Sequence, residues 1–564
     1  MSLEEGEQHQ ENKLRLVGDT LLYLITCFAS LGVFLFGYDQ GVMSGIITGP
    51  YFKAYFNQPT SAQIGTMVAI LEIGALITSL LAGRVGDIIG RRRTLFWGAS
   101  IFVLGGAIQS FTPTYGIMVL GRIVSGFGVG LLSTIVPIYQ SEISPAEHRG
   151  KLACIEFTMN VGGYAFSVWT DYFCSYIPSH LSWRLPLLMQ CLIGLILSLG
   201  SLLIPESPRW LIDTDQDVAG MSVLVDLHGG DVEDETAQME FQEIKERVLE
   251  DRQNPERTYA IMWRKYRSRL LIACSSQAFA QLNGINVISY YAPLVFEEAG
   301  WIGRQAILMT GINAIIYVLS TVPTWYLVDR WGRRVILISG GSIMGLALAL
   351  TGYFMYLDQP LTPNTVVLCV IIYNAFFGYS WGPIPWLYPP EIIPLPLRAK
   401  AVSLSTATNW AFNWVVGEGT PVLKDWIGWR LYPMHAFFCA SSVILVYFLY
   451  PETKGVPLEE MDAVFGEESA QAASEPESET SSLVSRDRTD WATRATSLDG
   501  HPRGRGHEGD EDGDGQGEGG EDQAGDAGTE GDGDGDGEAY KPPARYTLWD
   551  RVLGRGQYRP VAEA

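Results

Sequence analysis

DIIGRR, Asp87 to Arg92, recurs as DRWGRR, Asp329 to Arg334. Two further pairs recur at nearly the same offset of about 245 residues: EISPAEHRGK (Glu142 to Lys151) with EIIPLPLRAK (Glu391 to Lys400), and PESP (Pro205 to Pro208) with PETK (Pro451 to Lys454). One such match carries little weight, but three in register mark an internal duplication. Each pair follows the second, the fourth or the sixth apolar block of its half. The spacing therefore predicts two parallel six-span halves.

The blocks themselves decide the solvent. Of 564 residues, 47% are hydrophobic and only 18% are charged. Runs of about 18 to 25 mostly apolar residues, long enough for a helix to cross roughly 30 Å of hydrocarbon, number about twelve. They cover approximately residues 21-47, 62-83, 94-111, 115-139, 152-172, 184-204, 268-295, 306-328, 335-357, 364-389, 400-422 and 431-450. The fold class expected is an all-α membrane protein of twelve transmembrane helices. Its expected layout is a cytoplasmic N-terminal segment (1-20), a first six-helix half (21-206), a cytoplasmic linker (207-267), a second half (268-455) and an acidic tail (456-564). The residues before the first span are polar and carry no cleavable signal pattern, so that span is expected to serve as its own signal.

Orientation follows from the basic residues of short loops. Arg84, Arg91, Arg92, Arg93, Arg149, Lys151, Arg330, Arg333, Arg334, Arg398 and Lys400 fall in alternate loops, which are expected to be cytoplasmic, with both termini, most simply at the plasma membrane. The formal charge of −23 does not belong to the membrane part. Beyond Val464 lie 24 acidic and 10 basic residues, so the tail supplies 14 of the 23 negative charges. Its Ser, Gly and Asp-rich composition has too few apolar residues to offset the entropy of ordering, and predicts disorder. The GDGDGDGE run lacks EF-hand spacing and a nonapeptide repeat, so it reads as a solvated tail rather than a calcium loop.

The recurring cytoplasmic motifs combine acids with arginines at helix ends: Asp87, Arg91, Arg92, Glu142, Arg149 and Glu206 in the first half, and Asp329, Arg333, Arg334, Glu391, Arg398 and Glu452 in the second. They are candidates for a cytoplasmic gate, with ion pairs within and between halves. Arginines also enforce topology and bind anionic headgroups. The acids, which do nothing for topology, favour the gate.

PESPRW, NGINVISYY, DRWGRR, GPIPW and PETKG together resemble the sugar porter family of the major facilitator superfamily, as in fungal-type monosaccharide transporters, over roughly residues 20 to 460. The resemblance implies the twelve-helix fold, a central sugar site between the halves, and alternating access. Matched residue by residue, it implies sugar contacts from Phe36, Gln281, Asn286, Tyr290, Asn313, Trp386, Asn409, Trp410 and Asn413. Amides donate and accept, so they suit vicinal hydroxyls, and a Trp face suits the C–H surface of a sugar ring. Two positions depart from the family pattern. The first Gln of the pair in the seventh span is Ala280, and a Gln of the fifth span is Phe157, preceded by Glu156. A hexose, a pentose, a polyol or a disaccharide therefore all remain open.

Asp39, inside the first span, is costly in hydrocarbon and needs a partner. Helix rise places it about 15 Å below the outer face, and Arg122 in the fourth span about 12 Å below it. In proton-coupled members of the family an acid and an arginine at the matching positions form a pair, which implies proton coupling through Asp39 and Arg122. A carboxylate whose arginine moves away changes its proton affinity with conformation. The expected function is proton-coupled sugar symport; facilitative transport of a sugar or polyol, and a non-transporting sensor with a long tail, are the alternatives.

Other signals point away from chemistry. The GFGVG of the fourth span suits close helix approach, and neither a Walker lysine motif nor HExxH occurs. No enzyme, cofactor, metal or nucleic-acid partner is expected. The partners expected are a sugar, a proton and the lipid bilayer, with the chain acting as a monomer.

Overall fold

The computed structural model describes residues 17–144, 149–231, 234–253, 258–455 and 461–465. The chain divides into two units, Met1–Phe465 and Gly466–Ala564. Of the acidic tail expected to be disordered, residues 461–465 are described, with Met461–Val464 helical, and the rest lies outside the described residues, as does most of the N-terminal segment. Regular structure among the described residues is entirely helical.

In the first half the spans are α1 (Gly18–Ala29) with α2 (Leu31–Ile46), then α3 (Ser61–Ile89), α4 (Arg91–Ser110), α5 (Tyr115–Ile143), α6 (Arg149–Cys174) and α7 (Leu181–Ser201). In the second half they are α11 (Tyr259–Leu282) with α12 (Ile285–Ala299), α13 (Arg304–Thr321) with α14 (Thr324–Trp331), α15 (Arg333–Leu357), α16 (Thr362–Tyr379) with α17 (Ile384–Ile392), α18 (Leu395–Ile427) and α19 (Leu431–Leu449). The linker, read from sequence only as a polar segment, is helical: α8 (Pro208–Asp213), α9 (Asp217–Leu227) and α10 (Glu235–Gln253). Lys245 pairs with Asp217 and Arg252 with Asp215, tying α10 to the segment before it. The seventh span, expected from residue 268, continues a helix that starts at Tyr259, with non-helical Tyr266 at the join.

Several spans are broken, each for a local reason. Between α1 and α2 the Ser30 hydroxyl donates back to the Thr26 carbonyl, and the Gln140 amide inserts there, donating to Thr26 O and Ser30 Oγ. Between α11 and α12 Gly284 takes φ +97, open to glycine but strained for other residues. The carbonyls freed there are satisfied by neighbours: His435 contacts Leu282 O, and Tyr373 donates to Asn283 O. The eighth span bends by 43°.

Among the described residues, seven helical stretches are long and apolar enough to cross a membrane by length and composition alone. One of them, Leu397–Leu449, covers the last two spans; the third, fifth, seventh and eighth spans are not among them, since they open on Arg91, Arg92 and Arg93, bury Glu156 and Asp171, carry Gln277, Gln281 and the break, or are bent. Leu81, Leu104, Leu199, Leu346 and Phe437 are exposed on the outside, a surface suited to lipid.

The halves meet along two seams. Along α3 and α18, Thr66 donates to Glu418 near one end, and Gly83 faces Ser403 near the other. Along α6 and α13, the Thr158 and Thr321 hydroxyls are 2.8 Å apart, and Trp169 lies over Gly311.

Candidate functional site

The broken seventh span assembles a polar cluster. Because the chain turns at Gly284, the last residues of α11 and the first of α12 face each other, and Asn286 Nδ2 donates to Gln281 Oε1 at 2.5 Å. Gln281 Nε2 donates to Asn409 Oδ1 of α18 at 2.7 Å, and Asn286 Nδ2 also donates to Asn413 Oδ1 at 2.7 Å. Asn409 and Asn413 are one turn apart on one face, which lets both reach this cluster. Tyr290 OH lies 3.0 Å from Asn413 Oδ1 and 2.7 Å from Glu72 Oε1, so the network crosses from the second half into the first.

Beside it Trp410 meets Phe36 of α2 edge-on, with centroids 4.8 Å apart. Buried nitrogens without a partner remain at Asn409 Nδ2, Asn413 Nδ2 and Trp410 Nε1. Donors left this way inside an otherwise bonded cluster suit a ligand rich in hydroxyls.

Two expected contacts are not drawn into this network. Asn313 is fully buried on α13 with neither amide atom bonded, and Trp386 is half-buried on α17. Ala280 is buried, and Phe157 presses its ring against Gly382 at the start of the GPIPW stretch, filling space with a ring where the family places an amide.

The pair expected in the first half is present. Arg122 Nη1 donates to both Asp39 oxygens, at 2.7 and 2.8 Å, and Nη2 donates to Val68 O at 2.6 Å; both side chains are 1–2% exposed. Backbone contact fixes the helix of Asp39 against α6: a Cβ on Gly37 would sit 1.8 Å from Asn160 O, and one on Gly163 2.0 Å from Phe34 O. Two buried acids escaped the sequence reading. Glu72 of α3 has Arg122 and Asp39 within electrostatic reach, and Asp171 of α6 lies against Gly45. The signal was there: each is an acid set in an apolar stretch of a membrane span, the same feature that singled out Asp39.

The cytoplasmic motifs form one cluster per half. Gly90 turns with φ +93, and Glu206 accepts from the freed Arg91 and Arg92 N–H groups opening α4. Burial raises the Glu206 carboxyl above its ordinary range, opposed by those N–H groups and that of Ser207. Arg91 then holds Glu142 through two 2.8 Å bonds and Asp87 at 3.1 Å. The second half repeats this: Gly332 turns, Glu452 caps the N–H groups of Arg333 and Arg334, and Arg333 holds Glu391 at 2.7 Å and Asp329 at 3.4 Å.

Each of these ion pairs joins residues of one half. The Arg92 and Arg334 guanidiniums reach main-chain carbonyls of Ile204 and Tyr447 instead of acids. The Arg149 side chain lies outside the described residues, and Arg398 is half-buried near the start of α18.

Residues 25–465 match the family described as sugar (and other) transporter. The chain belongs to this family. It is 32% identical to the major facilitator superfamily transporter mfsA of Aspergillus fumigatus over 471 residues, covering 80% of this chain and 87% of that protein. It is also 32% identical to a high-affinity glucose transporter of Kluyveromyces lactis over 468 residues, covering 79% and 85%. Among solved structures it is similar to the proton:xylose symporter XylE bound to 6-bromo-6-deoxy-D-glucose, with TM-score 0.70 and 28% identity over 79% of this chain and 99% of that one. A partially occluded inward open form of XylE from E. coli gives TM-score 0.67 and 27% identity, over 78% and 100%. The sugar transporter is thus an all-α, multi-pass membrane protein with the major facilitator fold.

Proposed function

We propose that the transporter is a proton-coupled sugar symporter working by alternating access. The observation that carries this is the buried Asp39–Arg122 pair, an acid in the membrane zone that joins two helices of one half beside the amide cluster. One proton moving inward gains about 2.3 kcal/mol per 100 mV and about 1.36 kcal/mol per pH unit. With about 100 mV and about two pH units this is roughly 5 kcal/mol, enough for three to four decades of accumulation.

Gln281, Asn286, Asn409 and Asn413 bind the sugar hydroxyls, with Phe36 and Trp410 against the ring and Tyr290, Asn313 and Trp386 at the margins. Each half moves as a rigid body, held by its own Arg91 or Arg333 cluster. The protein acts as a monomer in the plasma membrane, with both termini cytoplasmic, halves at 21-206 and 268-455, a linker at 207-267, and the tail from 456. The similarity to XylE supports this reading. Uptake of labelled D-glucose, D-xylose, glycerol and maltose, with and without a proton uncoupler, in cells lacking their own carriers is the test. Uncoupler-insensitive uptake that never exceeds equilibrium makes the protein a facilitator.

A second reading concerns the cargo. Ala280 together with Phe157 against Gly382 favours a site remodelled away from ordinary glucose selectivity, toward a pentose, a polyol or a disaccharide.

A further inference from the structure

Glu72 is 1% exposed, and one carboxyl oxygen, Oε2, has no hydrogen-bond partner. Its position is set by a close backbone approach of α3 to α5: a Cβ on Gly126 of α5 would lie 2.1 Å from Leu71 O, and one on Gly74 of α3 would lie 2.4 Å from Ile123 O. Arg122 reaches across this contact to Val68 O, one turn before Glu72. The charged and titratable groups around Glu72 are Arg122 from α5, Asp39 from α2 and Tyr290 from α12. Glu418 of α18 is bonded to Thr66 and shares Tyr291 with Glu72 as an electrostatic neighbour.

This gives two acids and one guanidinium in a buried group. Arg122 spends both Nη1 contacts on Asp39 and Nη2 on a carbonyl, leaving Glu72 only the Tyr290 hydroxyl. With both acids ionised the group holds a net negative charge in the hydrocarbon zone. A single proton on Glu72 cancels it.

Hydrogen-bond direction leads to the same place. The Tyr290 hydroxyl has one proton and two acceptors in reach, Glu72 Oε1 at 2.7 Å and Asn413 Oδ1 at 3.0 Å. If Glu72 is protonated it donates to the Tyr290 oxygen, and Tyr290 donates to Asn413. Asn413 Oδ1 then accepts from both Tyr290 and Asn286, which fixes its amide with Nδ2 turned away from them and free to donate to a sugar hydroxyl. If Glu72 is ionised, Tyr290 swings its proton to the carboxylate and Asn413 loses one of the two bonds that orient it.

We infer, on the reading of the chain as proton-coupled, that Glu72 is a proton-binding site whose occupancy is relayed by Tyr290 to Asn413 in the sugar site. Protonation of Glu72 preorganises the amide, so proton and sugar bind with positive linkage, the sign symport requires.

The test is equilibrium binding to the purified full-length protein, at about pH 5 and about pH 8, of whichever of D-glucose, D-xylose, glycerol and maltose is taken up best. The wild type should bind at least about threefold more tightly at the lower pH. Glu72→Gln, whose amide donates to Tyr290 as the protonated acid does, should bind tightly at both. Tyr290→Phe should bind weakly at both, and serves alone if Glu72→Gln fails to fold. A wild type with equal affinity at the two pH values, or either variant keeping the wild-type pH dependence, overturns the inference.

Uptake separates this from the broader reading. If pH-dependent affinity is lost in Glu72→Gln while the wild type never accumulates sugar, Glu72 stands and symport falls. If both proteins accumulate sugar in an uncoupler-sensitive way, symport stands and Glu72 falls.

Discussion

Asn286 reaches back across the break in the seventh span to Gln281, 2.5 Å away, and Gly284, with φ +97, makes the break that lies between them. Gln281 also holds Asn409, so it is the member of the cluster that ties α11 to α18. Hydrogen bonds of this kind contribute about 0.5 to 1.5 kcal/mol each. Gln281→Ala should therefore raise the apparent KM for the transported sugar by several-fold to some tens-fold, with the protein still reaching the membrane. Unchanged affinity across the sugar panel removes Gln281 from the site.

Gly284→Ala tests the break itself. A Cβ there would sit 2.9 Å from the His435 ring, on a backbone with φ +97. The combined strain is on the order of 1 to 3 kcal/mol, and the site should loosen with it. Thermal unfolding of the purified protein should fall by several degrees, and KM should rise as in Gln281→Ala. A variant with wild-type KM and unfolding temperature shows that the turn does not set the geometry of Gln281 and Asn286.

Selectivity is the subject of Ala280→Gln, which restores the paired amides of the family pattern. An added buried amide that meets a hydroxyl changes discrimination by a factor of about 10 or more between sugars that offer it and those that do not. The ranking of D-glucose against D-xylose, glycerol and maltose in competition uptake should shift toward hexose. The same ranking in variant and wild type makes Ala280 incidental.

The repeat and the apolar blocks made the two halves legible because both are one-dimensional signals. Gln281, Asn286, Tyr290, Asn409 and Asn413 were legible for a different reason: their motifs matched a known pattern, and the structure bonds them to one another. Glu72 was not, although it is as anomalous in TMVAILEIGAL as Asp39 is in LFGYDQG, since its meaning comes from Tyr290, 218 residues away. The cytoplasmic arginines show the complementary case. Sequence shows that Arg91, Glu142 and Glu206 recur together as Arg333, Glu391 and Glu452, but not which half each side chain joins. That depends on the glycine turns at Gly90 and Gly332, which aim the arginines inward at their own neighbours.

Those clusters carry a stability prediction. Arg91 is 8% exposed, so Glu142→Gln leaves a buried guanidinium short of its bidentate acid, a loss of about 3 to 5 kcal/mol in comparable buried pairs. Glu391→Gln should do the same to Arg333. Because each cluster belongs to one half, the two losses should add within about 0.5 kcal/mol in the double variant. A double variant no less stable than either single one reveals a contact between the halves.

Asp39→Asn keeps size and hydrogen bonding at the first-half pair but removes the acid. If Asp39 takes part in coupling, concentrative uptake should vanish, while counterflow exchange of sugar across the membrane persists, since exchange needs the two-state motion and not the proton gradient. Arg122→Ala is the harsher change: it deprives both Asp39 and Val68 O of a donor and leaves buried acids without their cation, so exchange should weaken as well. The difference between the two variants isolates coupling from architecture. An Asp39→Asn protein that still concentrates sugar, with the sensitivity to uncoupler of the wild type, makes the pair structural and leaves Glu72 as the acid through which a proton acts.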